Sequence, residues 1–258
     1  MFKSLRVRAS QGSQFIGDLR QAVPKGFRGR PTISTAACAE GCRACLEACP
    51  TGAISLADAA PPDSHAGVRL DLGRCVFCAE CVAECPADKL AFTSSPQMSA
   101  RTREGLIVLD GRPGPAPIET DAALKRLFGR SLRMRQVSAG GCNACELELN
   151  AVLNVNFDFA RYGIEWVASP RHADALVLTG PLTKNMAEAV RLAWDAMPDP
   201  RFVVAVGACA ISGGLYADAP TLARELLADV APLVFVAGCP PHPLTFVNAI
   251  MQLLGIGS

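Results

Sequence analysis

The chain has 258 residues, half of them hydrophobic, 19% charged, with a formal charge of +1. That length suits one or two domains, the apolar content excludes a disordered chain, and the near-neutral charge gives no basic excess for a nucleic-acid partner. Twelve cysteines are the unusual count. A disulfide scaffold would be short, secreted and richer in cysteine, above about 8%.

In chain order, residues 1–30 come first, with seven Lys/Arg and one acid. They read as a basic N-terminal arm, either solvated or docked on anionic lipid. No apolar stretch follows MFKSLRVRASQGSQ, so a signal peptide is not expected. The thiols are therefore expected to be cytoplasmic, reduced or metal-bound.

Residues 31–93 are an internal repeat. CAEGCRACLEACPTGAISL starts at Cys38 and CVFCAECVAECPADKLAF at Cys75. Cys42, Cys45 and Cys49 map onto Cys78, Cys81 and Cys85 at a constant offset of 36, as do Ile54 and Leu56 onto Leu90 and Phe92. Each unit predicts strand, cysteine loop, short helix, strand. So small a repeat buries little core by itself and needs something at its centre.

The spacing points to iron–sulfur chemistry. In C-x2-C-x2-C-x3-C-P, three thiolates wrap one cluster in a tight loop and the fourth, before proline, ligates the other. One set is then Cys75, Cys78, Cys81 and Cys49, and the other Cys38, Cys42, Cys45 and Cys85. Zinc favours two separated pairs across roughly 12–20 residues, which fits poorly. These residues resemble a bacterial-type ferredoxin domain with two 4Fe–4S clusters. One departure stands out: three residues separate Cys38 from Cys42. Either Gly41 absorbs a larger loop and Cys38 still ligates, or the first cluster is modified, three-iron or labile.

Residues 94–130 carry the Gly/Pro/Ser punctuation of a linker, with a short helix started by Asp121. In residues 131–258 the apolar runs Arg135–Val137, Ile164–Val167, Ala175–Thr179, Phe202–Val206 and Leu233–Val236 predict buried strands. Helices are expected near 145–156, 184–197, 221–228 and 243–254. This alternation predicts an α/β flavodoxin-like domain with a mostly parallel sheet, following the α+β ferredoxin-like domain. The tail after Val230 has no charge, but its prolines leave only Leu244–Leu254 as a continuous helix. That is too short to span a membrane and fits core or a partner contact.

Cys142, Cys145, Cys209 and Cys239 each follow a predicted strand, at the edge where open α/β sheets bind ligands. Gly140, Gly141, Gly207 and Gly238 precede them, as expected where backbone approaches a bulky group. Taken singly, Cys209 or Cys239 reads equally as a buried structural thiol. Together the four predict a third cluster.

SAGGCNACELELN, SPRHADALVLTGPLTKNM, VVAVGACAISGG and AGCPPHP strongly resemble the small subunit of membrane-bound, energy-converting nickel–iron hydrogenases. The same family includes a cluster-bearing subunit of respiratory complex I. The resemblance covers about residues 131–254 and places Cys142, Cys145, Cys209 and Cys239 on the family's proximal-cluster ligands. The complex I branch has adjacent cysteines at the first site; Cys142-Asn143-Ala144-Cys145 is the hydrogenase form. Residues 1–93, with GFRGRP before the first cysteine, resemble the ferredoxin subunit of formate hydrogenlyase-type complexes.

The resemblance implies a fusion of two neighbouring subunits. The chain would relay electrons through three 4Fe–4S clusters in a membrane-associated nickel–iron hydrogenase complex, with no catalytic residue of its own. Its implied partners are a hydrogenase large subunit or its complex I counterpart, membrane-arm subunits, and formate dehydrogenase or another donor. It would sit peripherally on the inner face of the cell membrane, with the basic arm near the membrane arm. The alternative is the cluster subunit of a complex I-like quinone oxidoreductase or a nickel-free relative. No G-x-G-x-x-G or Walker-type loop supports a nucleotide-binding enzyme. Glu146 and Glu148 read either as first-turn acids or as groups facing the large subunit. His172 and His242 read as structural more readily than as cluster-tuning groups, and the Thr179–Pro181 loop as lining the cluster pocket.

Overall fold

The computed structural model describes residues 2–12, 15–56 and 67–256. An exposed helix, α1 (Phe2–Gln11), opens the chain. The first repeat unit is β1 (Pro31–Ile33), α2 (Ala44–Glu47) and β2 (Ile54–Leu56). The second is β3 (Val68–Asp71), α3 (Glu80–Ala83) and β4 (Leu90–Phe92). Each unit's first strand pairs with the other's last. β1 runs antiparallel to β4, with Ile33 opposite Leu90, and β2 antiparallel to β3, with Ile54 opposite Leu70. Strands this short have no stability alone. They persist because Ile33, Ile54, Val68, Leu70 and Leu90 point into one core.

The segment expected as a linker departs from expectation. It forms β5 (Ser99–Ala100), a 3-10 turn at Glu104–Leu106, and β6 (Ile107–Leu109). β6 adds to β3 of the repeat, while β5 adds to the sheet of the second half. Met98, Leu106 and Val108 are buried. Two strands of two and three residues leave too little periodicity to show through the Gly/Pro punctuation around them. Helix α4 (Ala122–Phe128) follows, capped by Asp121, whose carboxylate accepts from the amides of Ala123 and Leu124.

The second half continues with β7 (Leu132–Ser138), α5 (Ala144–Ala151), β8 (Ile164–Trp166), β9 (Ala175–Thr179), α6 (Lys184–Asp195) and β10 (Phe202–Val206). Then come α7 (Gly207–Ser212), α8 (Leu226–Val230), β11 (Val234–Val236) and α9 (Pro243–Leu254). The sheet order is β5-β11-β10-β9-β7-β8, with all neighbours parallel except β5. Counting only the parallel strands, this is the doubly wound order 2-1-3-4-5, with its switch between β7 and β9. Helix α7 is not expected from the sequence, and α8 lies later than the predicted 221–228. In both places glycine or a polar turn hides a helix shorter than two turns.

Side-chain alternation shows what covers each sheet face. Phe202, Val204, Val206, Val234 and Val236 meet α9, in which every residue but Gln252 is buried. On the other face Leu176, Leu178 and Val203 meet α6 and α8 through Val190, Leu226 and Val230. Ala205 and Phe235 instead join the core of the cysteine repeat. That repeat therefore covers part of the sheet in place of a helix, and the two halves share a core. The basic arm is likewise anchored beyond α1: Leu19 is fully buried, and its carbonyl accepts from Asn248 of α9.

Candidate metal centres

All twelve cysteines are free thiols, and they fall into three groups. Cys38, Cys42, Cys45 and Cys85 line one cavity of about 340 Å³, closed on one side by Leu56 and Leu90. Burial pushes the Cys45 thiol up, and thiolates at Cys85, Cys38 and Cys42 push the same way. Burial also raises Cys38, against the pull of Lys89. Lys89 is 5% exposed; its Nζ pairs with Asp110 at 2.7 Å and donates to the Ala36 carbonyl at 2.6 Å. Its backbone amide donates to Cys85 Sγ at 3.3 Å.

Cys49, Cys75, Cys78 and Cys81 line a second, tighter pocket with Pro50 and Phe92. The repeat shows in the hydrogen bonds: the Ala53 amide donates to Cys49 Sγ at 3.2 Å, as Lys89 does to Cys85. The Phe77 amide donates to Cys75 Sγ at 3.3 Å. Burial pushes Cys75 up to about 12 and Cys81 to about 11, with the neighbouring thiolates adding to both. Thiols held this high stay protonated unless a cationic group takes the sulfur, and its binding then releases protons. Between Cys78 and Cys81, Ala79 adopts φ 74°, a left-handed conformation that costs a residue with a Cβ about 1–2 kcal/mol. That strain is concentrated where the loop must wrap.

The third group gathers at the carboxyl edge of the parallel sheet. Cys142 and Cys145 lie between β7 and α5 or at its start, Cys209 in α7 directly after β10, and Cys239 after β11. Burial pushes Cys145 up to about 12, with Glu146 and then thiolates at Cys209, Cys239 and Cys142 adding. Burial lifts Cys209 to about 11, thiolates at Cys239 and Cys142 add, and Arg224 pulls it back. Cys239 is raised by burial and then by Cys142. Cys142 and Cys239 are exposed, so the site opens to the surface beside the exposed Leu147 of α5.

The glycines at this edge have separate jobs. At Gly207 (φ 87°) a Cβ would stand 2.7 Å from Cys145 Sγ. At Gly214, the last residue of VVAVGACAISGG, it would stand 3.3 Å from Cys209 Sγ. Gly140, Gly141 and Gly238 instead admit Thr183, Gly180 and Pro241, so they pack loops and do not border sulfur. The missing Cβ at Gly207 leaves the room that a bulky group on four thiols requires.

The other singled-out residues resolve individually. Glu146 Oε1 accepts from Thr179 Oγ1 at 2.6 Å. Burial pulls its carboxyl up, but hydrogen bonds from Ser138 and Thr179 prevail and hold it below the usual range. Burial raises Glu148. His242 caps α9 by accepting from the Leu244 amide at 3.1 Å, with its ring between Phe27 and Phe157. His172 is exposed in a turn. Among the described residues, no three His, Cys, Asp or Glu side chains draw in closely enough for a single metal ion.

Comparison with known proteins gives two family matches. Residues 142–253 match the NADH ubiquinone oxidoreductase 20 Kd subunit, and residues 37–89 match a 4Fe-4S dicluster domain. The chain is 38% identical over 133 residues to a probable membrane-bound hydrogenase subunit, mbhJ, of Pyrococcus furiosus, covering 52% of this chain and 80% of that one. It is 37% identical over 149 residues to formate hydrogenlyase subunit 7 of Escherichia coli, covering 55% of this chain and 58% of that protein. With NADH-quinone oxidoreductase subunit 6 of Thermus thermophilus it shares 41% over 115 residues, covering 44% of this chain and 62% of that one. The chain thus spans less than two thirds of the latter two relatives.

Proposed function

The chain belongs to the family of the 20 Kd subunit of NADH ubiquinone oxidoreductase, joined here to a 4Fe-4S dicluster domain, and we propose from that premise that it is a three-cluster electron relay. It is an electron-transfer subunit of an oxidoreductase complex. The observation that carries the three-cluster reading is the division of twelve cysteines into three quartets, two sharing a pocket each and one sharing a sheet edge. In this reading Cys38, Cys42, Cys45 and Cys85 hold the first 4Fe–4S cluster. Cys49, Cys75, Cys78 and Cys81 hold the second, and Cys142, Cys145, Cys209 and Cys239 the third. Such clusters, when bound, supply one-electron transfer at potentials set by charge, hydrogen bonds and exposure.

The protein's own residues supply the rest. Amides of Ala53, Phe77 and Lys89 donate to cysteine sulfur and favour negative charge there. The second quartet neighbours each of the others. Cys45 of the first raises Cys81 of the second. Gly73, two residues before Cys75, abuts Ile211 of α7, the helix that carries Cys209. The exposed third site suits handover to a partner. The sheet order supports a flavodoxin-like assignment of the second half.

The spacing Cys142-x2-Cys145 favours a hydrogenase-type large subunit over a quinone-type one. No helix of the described residues is long and apolar enough to cross a membrane, so attachment in this reading is peripheral, through membrane-arm subunits. Metal content of the native complex, purified anaerobically through a tag on this chain, tests the proposal. Expected are about twelve irons per chain, with about one nickel per complex. About eight irons would remove the third cluster. Twelve without nickel would keep the relay and favour the quinone-linked or nickel-free reading.

A further inference from the structure

Arg224 is half-buried with its guanidinium turned inward. Nη1 donates to the carbonyl oxygens of Pro181, Cys209 and Ala210 at 3.4, 3.1 and 3.0 Å, and Nη2 to that of Ile211 at 2.9 Å. Four carbonyls hold this cation and no carboxylate does: among the described residues none pairs with it. The charge that bears on it is a like one, Arg103, itself paired with Asp71 at 2.7 Å. Guanidinium stays protonated even when partly buried. A fixed, partly desolvated positive charge is costly without a counter-charge. The clamp on the Cys209 carbonyl at 3.1 Å fixes this charge against the backbone of a cysteine of the third group.

Lys89 provides the contrast. It stands beside the first quartet, but Asp110 neutralises it. Arg28 donates to the carbonyls of Phe77 and Cys78 at 2.8 and 2.9 Å, so the second quartet has a cation of its own, and the charge of Arg224 bears on the third group. Cluster potentials rise as local positive charge favours the added electron.

We propose that Arg224 is a positioning residue whose charge, clamped to the carbonyls of the Cys209 helix, raises the reduction potential of the third cluster selectively. This rests on the reading that Cys142, Cys145, Cys209 and Cys239 hold that cluster. Clamping the end of α7 also serves structure, so the readout must follow charge and not shape.

The test is an anaerobic, EPR-monitored redox titration of the whole complex carrying wild-type chain, Arg224→Gln or Arg224→Lys. With glutamine, the reduced-to-oxidised ratio of the third cluster should fall about tenfold at a given potential, ~59 mV for one electron. The other two clusters should not move, and lysine should stay within about threefold of wild type. An unmoved third cluster in the glutamine variant overturns the proposal, as does an equal shift with lysine. If glutamine abolishes the third signal, lysine decides: the cluster restored at the wild-type potential supports the role, and a tenfold shift defeats it. A wild-type chain with only about eight irons fails earlier, in the three-cluster reading itself.

Discussion

Gly207 shows how little room separates backbone from sulfur at the third site. A methyl there meets Cys145 Sγ at 2.7 Å, on a backbone at φ 87° that disfavours any Cβ. Gly207→Ala should cut iron from about twelve to about eight per chain, leaving the spectra of the repeat intact. Gly41 makes the opposite case. It has φ 71° but nothing within 4 Å of its missing Cβ. Gly41→Ala should cost about 1–2 kcal/mol of backbone strain and keep all the iron. Cys38 lies on that loop and borders the cavity of the first quartet. Cys38→Ser should lose iron or convert the first cluster's EPR spectrum, and unchanged iron and spectrum would sink the four-thiol assignment. Hydrophobic pattern and cysteine spacing made these sites legible. The identity of the glycine that guards a sulfur was not, since that depends on which distant chain lies beside it.

Among elements, α9 carries the most. As a short uncharged helix, its sequence fits core and partner contact equally. The structure buries it against the sheet, with Phe246 edge-on to Phe159 and stacked on Trp166. Phe246 is 1% exposed, so Phe246→Ala removes a fully buried ring. The cost should be about 3–5 kcal/mol, seen as a lower thermal midpoint of the cluster-loaded chain. A midpoint within error of wild type would show that this helix packs less tightly than described. Strands β9, β10 and β11 were legible because continuous apolar runs mark strands buried on both faces, whereas β7 and β8 mix polar residues into their runs and are only partly buried. Helix α7 was not, because six residues starting at a glycine carry too little periodicity.

In the whole molecule, the seam between the halves is the feature that matters for a relay. A Cβ at Gly73 would stand 2.7 Å from Ile211 and closer still to Arg103, so the second cysteine loop sits directly on α7. Ala205, Ile211 and Phe235 lie in the same core as Ile54 and Leu70. Gly73→Leu should pry the halves apart while each keeps its own thiols together. The expected result is rapid proteolysis within residues 94–118 and slower electron equilibration between the second and third clusters. Equal protease resistance in variant and wild type would mean the seam is not what joins the halves. Continuous core, and not a tether, holds the second and third cysteine groups at a fixed separation.

The sequence by itself determined the chemistry. Soft thiolate donors at short spacing, a doubled loop and cysteines at strand ends are local facts, and ligand type and spacing decide which groups can bind. Only the tertiary structure decided that the supposed linker stitches the two sheets, that the repeat serves as a layer on the second sheet, and that Arg224 stands beside Cys209 with no carboxylate partner among the described residues. Those contacts join residues far apart in the chain. They depend on how two cores meet, which no local periodicity encodes.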